Sequence, residues 1–325
     1  MLFEPTFQLN IIPENVFPAQ IAHIEEELEK YSNKGSFASF DGCTISYEYF
    51  CTKDNHASII LLHGFTEFYK KLYEMTWYFL NMGYNVFLYD QRGHGLSGRT
   101  CEQFSTTHVN DFNDYIKDLE IFIEQIVTPA SKGCPIHLLG HSMGGAVATM
   151  FLINNSHKVD KVILSSPMIC PKTHGVPPFV VDLVAKHFGK KDGWNARFPH
   201  CKDFNPNVNF NNSSDSSKAR FEHNLNLRIE NEEYQNSSFT NGWIHEALKV
   251  KKYILNSKYI RKIKNKTIII SAPKDNVVYS SLHQKLATLI PDCTLISVPG
   301  AKHTLYTGTE TLLSCFYQNV FNFLQ

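Results

Sequence analysis

A serine hydroxyl becomes a useful nucleophile only when a base takes its proton and a third group holds that base in place. Ser142 stands where such help is expected. It is the centre of Gly140-His141-Ser142-Met143-Gly144, preceded by the apolar run Pro135-Ile136-His137-Leu138-Leu139 and followed by the helical stretch Ala146 to Asn154. Gly-x-Ser-x-Gly between a buried strand and a helix predicts a sharp, strained turn with an exposed hydroxyl. The motif alone is weak; the flanking elements make it specific. The base is expected in a loop after the last strand, and His303 follows Ser297-Val298-Pro299-Gly300-Ala301-Lys302. The acid is expected at the end of the preceding strand, and Asp275 lies just past Thr267 to Ser271. A tetrahedral intermediate also needs donors for its oxyanion. The Met143 N–H, at a helix start, and the Phe65 N–H, in His63-Gly64-Phe65, are the predicted pair.

Other residues nearby carry plainer readings. His141 is expected as a pocket wall, and His63 and His94 as scaffold. Asp90-Gln91-Arg92-Gly93-His94-Gly95-Leu96-Ser97 lacks the Lys-Ser/Thr of a phosphate-binding loop, so it reads as a tight structural turn.

The elements that must position these groups follow from periodicity. Gly35 to Cys51 alternates around Asp41-Gly42, a hairpin signal. Short apolar runs at Ile59–Leu62, Val86–Tyr89, Val162–Leu164, Thr267–Ser271 and Thr294–Val298 read as buried strands. Between them, helices are predicted over Ala19–Tyr31, Lys71–Met82, Val109–Val127, Ser281–Leu289 and Glu310–Leu324. Strands alternating with helices predict an α/β fold: a mostly parallel central sheet with helices on both faces. The alternation breaks between Met168 and Val250, a stretch rich in Asn, Ser and Pro that holds Trp194 and Trp243. That break predicts an inserted cap or lid. The expected division is 1–34 as leader and helix, 35–167 with 251–325 as core, and 168–250 as cap. Asn205 to Ser217 reads as a mobile loop within it. In the cap, Val176, Phe179, Val180, Leu183, Val184 and Phe188 form an apolar helical stripe, opened by Pro177-Pro178 and ended by Gly189. Such a stripe packs as core, or lines an acyl channel or touches a bilayer.

Bulk numbers exclude several classes. The 325 residues carry 31 basic and 31 acidic side chains, so no electrostatic case for nucleic acid arises. The eight cysteines form no Cys-x-x-Cys pair, which fits free thiols in a reducing compartment and gives no metal-ligand spacing. The N-terminus lacks a basic and apolar leader, and no window reaches the about 18 apolar residues of a membrane span. A cytoplasmic protein is expected, with peripheral membrane contact through the cap left open. No cofactor, metal or protein partner is expected.

Taken together, His63-Gly64-Phe65, Asp90 to Ser97, Gly140 to Gly145, Ala272 to Val278 and Gly300 to His303 resemble the monoglyceride lipase and lysophospholipase branch of the α/β-hydrolases. His108 to Leu119, Ser166-Pro167-Met168 and Gly242 to Ala247 are similar to the bacterial lysophospholipases. The resemblance covers nearly the whole chain after Ser36. It implies an α/β-hydrolase fold and a serine hydrolase acting on a monoacyl lipid, a lysophospholipid or a monoacylglycerol. A general carboxylesterase or a small amide or peptide hydrolase is the alternative on the same triad. A non-catalytic ligand-binding protein on the same scaffold is the alternative from another class.

Overall fold

The computed structural model describes residues 1–325. After α1 (Phe17–Tyr31) comes an antiparallel pair, β1 (Asn33–Ala38) and β2 (Thr44–Phe50), joined through Asp41-Gly42 as the sequence predicts. The apolar run β3 (Ala57–Leu62) leads through α2 (Tyr73–Asn81) to β4 (Tyr84–Tyr89). A two-residue strand, β5 (Thr106–Thr107), precedes α3 (Asn113–Phe122), which runs on through one π turn into α4 (Thr128–Ser131). Then come β6 (Ile136–His141), α5 (Met143–Asn155) and β7 (Lys161–Ser165). A long excursion carries α6 (Pro178–Asp192), α7 (Lys218–Glu230), β8 (Ser238–Phe239), α8 (Asn241–Ile254) and α9 (Ser257–Ile260). The chain closes with β9 (Lys266–Ser271), α10 (His283–Leu289), β10 (Cys293–Ser297) and α11 (Glu310–Leu324).

Eight strands form one sheet in the order β1-β2-β4-β3-β6-β7-β9-β10; β2 runs antiparallel to both its neighbours, β1 and β4, and all other adjacent strands are parallel. Successive side chains of a strand face opposite sides, and here both sides are core. Ile60 and Leu62 join the cluster with Tyr115 of α3, Val147 of α5 and Val250 of α8. Ile59 and Leu61 join the cluster with Ile24 of α1, Phe79 of α2 and Phe316 of α11. Sheets buried on both faces need continuous apolar strands, which is why these runs were legible. All eight cysteines are unpaired. No helix is long and apolar enough to cross a membrane.

The excursion departs from the sequence reading in three ways. Gly189 does not end α6, which continues to Asp192. A Cβ at Gly189 would lie 2.7 Å from the Trp194 ring, so this glycine makes room for packing and the terminating turn falls to Gly193 at φ 101°. The apolar stripe also splits. Val184 and Phe188 face a cavity, whereas Phe179 and Leu183 are 67% and 58% exposed. Finally, the polar loop before α7 is tied down at its second half. The N–H groups of Ser216 and Ser217 donate to the Thr307 carbonyl, and the Thr304 N–H donates to the Ser214 carbonyl. Arg220 of α7, fully buried, donates from Nε and Nη2 to Glu74 of α2 at 2.8 and 2.6 Å.

Candidate active site

The turn from β6 into α5 holds Ser142 at φ 51°, ψ −116°, a conformation an L-residue adopts only under constraint. Two glycines permit it. A Cβ at Gly140 would sit 2.5 Å from the Gly144 carbonyl oxygen, and one at Gly144 would sit 2.5 Å from the Leu62 carbonyl oxygen. The Ser142 N–H donates to the Ser165 carbonyl of β7, and its carbonyl accepts from the Met168 N–H, so β7 and the segment just after it lock the turn.

The three residues expected to act together meet beyond the carboxyl ends of β6, β9 and β10. Ser142 Oγ lies 2.8 Å from His303 Nε2, and His303 Nδ1 lies 2.6 Å from Asp275 Oδ2. The other Asp275 oxygen accepts the N–H groups of Val277 and Val278 at 2.8 and 2.9 Å. All three residues are buried. Burial pushes the Asp275 carboxyl upward, but the hydrogen bond and charge of His303, with the two backbone donors, hold it below its ordinary value. A carboxylate here keeps Nδ1 protonated and leaves Nε2 free to accept the serine proton.

The expected oxyanion donors flank Ser142. Met143 is the first residue of α5, so its N–H has no acceptor within the helix. The Phe65 N–H makes no backbone hydrogen bond. Its ring packs 4.0 Å, centroid to centroid, from Trp243, which fixes that loop from the side. From below, the Gly64 N–H donates to Glu67 Oε2 at 2.6 Å. His63 behaves as scaffold: Nε2 accepts the Gln91 N–H at 2.9 Å, so Nδ1 is the donor to the Gly64 carbonyl at 2.7 Å. Burial pushes its pKa down to about 4, which keeps that neutral tautomer. His94 is likewise buried and pushed well below its ordinary value by burial. The Asp90–Ser97 turn is structural as expected. Asp90 accepts from Tyr69 and Leu96, and Arg92 pairs with Asp118 and Asp41.

Sequence reading passed over a cluster behind the serine. Glu67 Oε1 accepts from Lys71 Nζ and the Tyr306 hydroxyl, each at 2.8 Å, and lies 3.9 Å from His141 Nε2. Burial raises the Glu67 carboxyl, yet Lys71 and His141, with the Gly64 N–H, bring it well below the ordinary range. Burial pushes His141 down to about 3. The signal available was the spacing Glu67-x-x-x-Lys71, an i,i+4 pair in the loop that also supplies Phe65.

Two cavities meet at Ser142. One, of about 920 Å³, is mostly apolar and is lined by Phe65, Met168, Val181, Val184, Phe188 and Trp243 among others. The other, of about 300 Å³, is lined mainly by polar and charged residues, among them Glu67, Lys71, Asp215, Asn224 and Arg228. Both contain Ser142 and Phe65. No group of three or more His, Cys, Asp or Glu side chains is arranged to hold a metal ion.

Comparison with known proteins follows the same lines. The family described as "Serine aminopeptidase, S33" matches residues 53–310. Lysophospholipase L2 of Escherichia coli is 24% identical over 280 residues, covering 85% of this chain and 80% of that protein. Monoglyceride lipase of Saccharomyces cerevisiae is 30% identical over 145 residues, covering 42% of this chain and 45% of that one. Among solved structures, a soluble variant of the Saccharomyces cerevisiae monoglyceride lipase, in complex with a substrate analogue, superposes with a TM-score of 0.74. It covers 91% of this chain and 95% of its own at 20% identity.

Proposed function

Since the chain belongs to the serine aminopeptidase S33 family and has the α/β-hydrolase fold, we propose that it hydrolyses the carboxylic ester of a monoacyl lipid through an acyl-enzyme on Ser142. The observation that carries this reading is the position of Ser142 where an apolar cavity meets a polar one. An ester of a long acyl chain and a polar alcohol has the same division. The apolar cavity, of about 920 Å³, lies within the ~300–1,000 Å³ usual for ligand clefts.

In the proposed mechanism the Ser142 hydroxyl attacks the ester carbonyl while His303 Nε2 takes its proton. The carbonyl oxygen becomes an oxyanion received by the Phe65 and Met143 N–H groups. Each such donor is worth about 2.7–4 kcal/mol in comparable sites. Collapse of the intermediate breaks the bond to the alcohol, and His303 returns the proton to that leaving oxygen. Water then attacks the acyl-serine, giving its proton to His303, and the fatty acid departs with Ser142 restored. Asp275 stays ionised throughout and balances the imidazolium.

Residues 168–250 serve in this reading as a cap over the apolar cavity. Val184 and Phe188 of α6 line that cavity, while Phe179 and Leu183 on the same helix face solvent beside Lys186, Lys190 and Lys191. Apolar side chains flanked by lysines suit a bilayer surface, from which a monoacyl lipid would enter.

The test is labelling by a fluorophosphonate, followed by turnover of p-nitrophenyl esters of increasing chain length, lysophosphatidylcholine and monoacylglycerol. Labelling at Ser142 and rising kcat/KM with chain length are expected. Ser142→Ala should abolish labelling and lower kcat on the order of 10⁶-fold. Turnover by that variant near wild type sinks the nucleophile. Preference for short esters or aminoacyl amides sinks the lipid.

A further inference from the structure

Arg228, on the last turn of α7, is a half-buried cation with no carboxylate partner. Its Nε and Nη2 donate to the carbonyls of Tyr234 and Asn236 at 3.1 and 2.6 Å, and its guanidinium stacks 4.5 Å from the centre of the Phe204 ring. These three contacts fix the plane of the group. Nη1 is left without a partner in the protein, and the residue lines the polar cavity that opens on Ser142. Burial lowers its pKa to about 10, with Glu67 and Asp215 working in the other direction, so it stays charged at neutral pH. The cavity's acidic groups are already engaged: Glu67 by Lys71, Tyr306 and Gly64, and Asp215 by Thr307. A desolvated guanidinium held rigidly with one nitrogen unspent is suited to an anionic oxygen supplied from outside.

We propose that Arg228 binds the phosphodiester of the leaving alcohol, so that the polar cavity selects lysophospholipids over monoacylglycerols. This rests on the monoacyl-lipid reading above. The arrangement needs no phosphoryl chemistry: the phosphodiester is held while the carboxylic ester is cleaved beside it.

The experiment compares lysophosphatidylcholine with monoacylglycerol of the same acyl chain, in the wild-type protein, its Arg228→Gln variant and its Arg228→Lys variant. The ratio of the two kcat/KM values should fall at least about tenfold with Gln, mainly through KM for the phospholipid, which is what one charge-assisted hydrogen bond contributes. Lys, which keeps the charge, should retain most of the ratio. An unaltered ratio with Gln overturns the proposal. So does an equal fall with Gln and Lys, because that would trace to the bonds holding residues 234–236. A second arm adds inorganic phosphate. Inhibition of both lipids alike, relieved by Arg228→Gln, would assign the site to the free ion and overturn the substrate role. If the wild-type protein cleaves p-nitrophenyl esters but neither lipid, the monoacyl-lipid reading itself fails, which the variants are not needed to see.

Discussion

At the scale of single residues, the hydrogen-bonding directions between Ser142, His303 and Asp275 are all assigned. Asp275 spends one oxygen on the Val277 and Val278 N–H groups and the other on His303. Asp275→Asn therefore has one satisfactory orientation, with its carbonyl on the backbone donors and its NH₂ against Nδ1. That orientation turns Nδ1 into an acceptor and places the ring proton on Nε2, facing the serine. The expected outcome is a loss of about 10⁴-fold in kcat on a p-nitrophenyl ester, with KM little altered and thermal unfolding near wild type. Steady-state kinetics on that ester would check it, and a loss under tenfold would argue that another group orients His303. Legibility at this scale was uneven. Ser142, Asp275 and His303 stood out because each is tied to the end of a recognisable strand. Glu67 and Arg228 did not: Glu67 offers only its i,i+4 spacing to Lys71, with its Tyr306 partner 239 residues away, and Arg228 is held by loop carbonyls that no side-chain pattern marks.

At the scale of elements, α6 is the informative helix. The sequence marks an apolar stripe but not which side is covered, since helical spacing is the same for a core and for an exposed face. The structure divides it, leaving Phe179 and Leu183 in solvent. Burying each such side chain is worth about 1.5–3 kcal/mol. Phe179→Ser with Leu183→Ser should reduce the fraction of protein sedimenting with phosphatidylcholine–phosphatidylglycerol vesicles at least tenfold, and should leave turnover of a soluble short-chain ester near wild type. Unchanged sedimentation would remove α6 as the membrane face. On the other side of the excursion, α7 is held by the buried Arg220–Glu74 pair, and residues 214–217 are hydrogen-bonded to the stretch after His303. This half of the excursion is fastened to the core, so the loop expected to be mobile is anchored where it approaches the site.

For the molecule as a whole, buried histidines govern the response to acid. Burial holds His63 and His137 down to about 4, His141 down to about 3, and His94 well below its ordinary value. Below pH 6.5 the unfolded chain takes up these protons while the folded chain refuses them, so stability is full above 6.5 and is lost as pH falls. Asp90, pushed up to about 7 by burial, acts in the opposite sense, favouring the folded state as pH falls from 7. Burial likewise raises the Glu48 and Asp118 carboxyls and lowers His56, His108 and His283, so three carboxyls stand against seven imidazoles and do not reverse the trend. The urea midpoint should therefore drop between pH 7 and pH 5. A midpoint that rises on acidification would show that these histidines accept protons in the folded state.

The sequence by itself determined the layered α/β architecture, the order of its strands along the chain and the triad expected at their ends. It could do so because strand burial and the strand-to-helix turn at Ser142 are local: they depend on apolar runs, on breakers and on glycines within a few positions. What only the tertiary structure decided lies in the excursion from 168 to 250. Its weak periodicity did not say that α7 is a helix, that Gly189 sits against Trp194, or that Arg228 comes to line the cavity that reaches Ser142. Those outcomes depend on pairings between segments far apart in the chain, such as Arg220 with Glu74 and Ser214 with Thr304. No local pattern encodes them, because each partner alone looks like an ordinary polar surface residue.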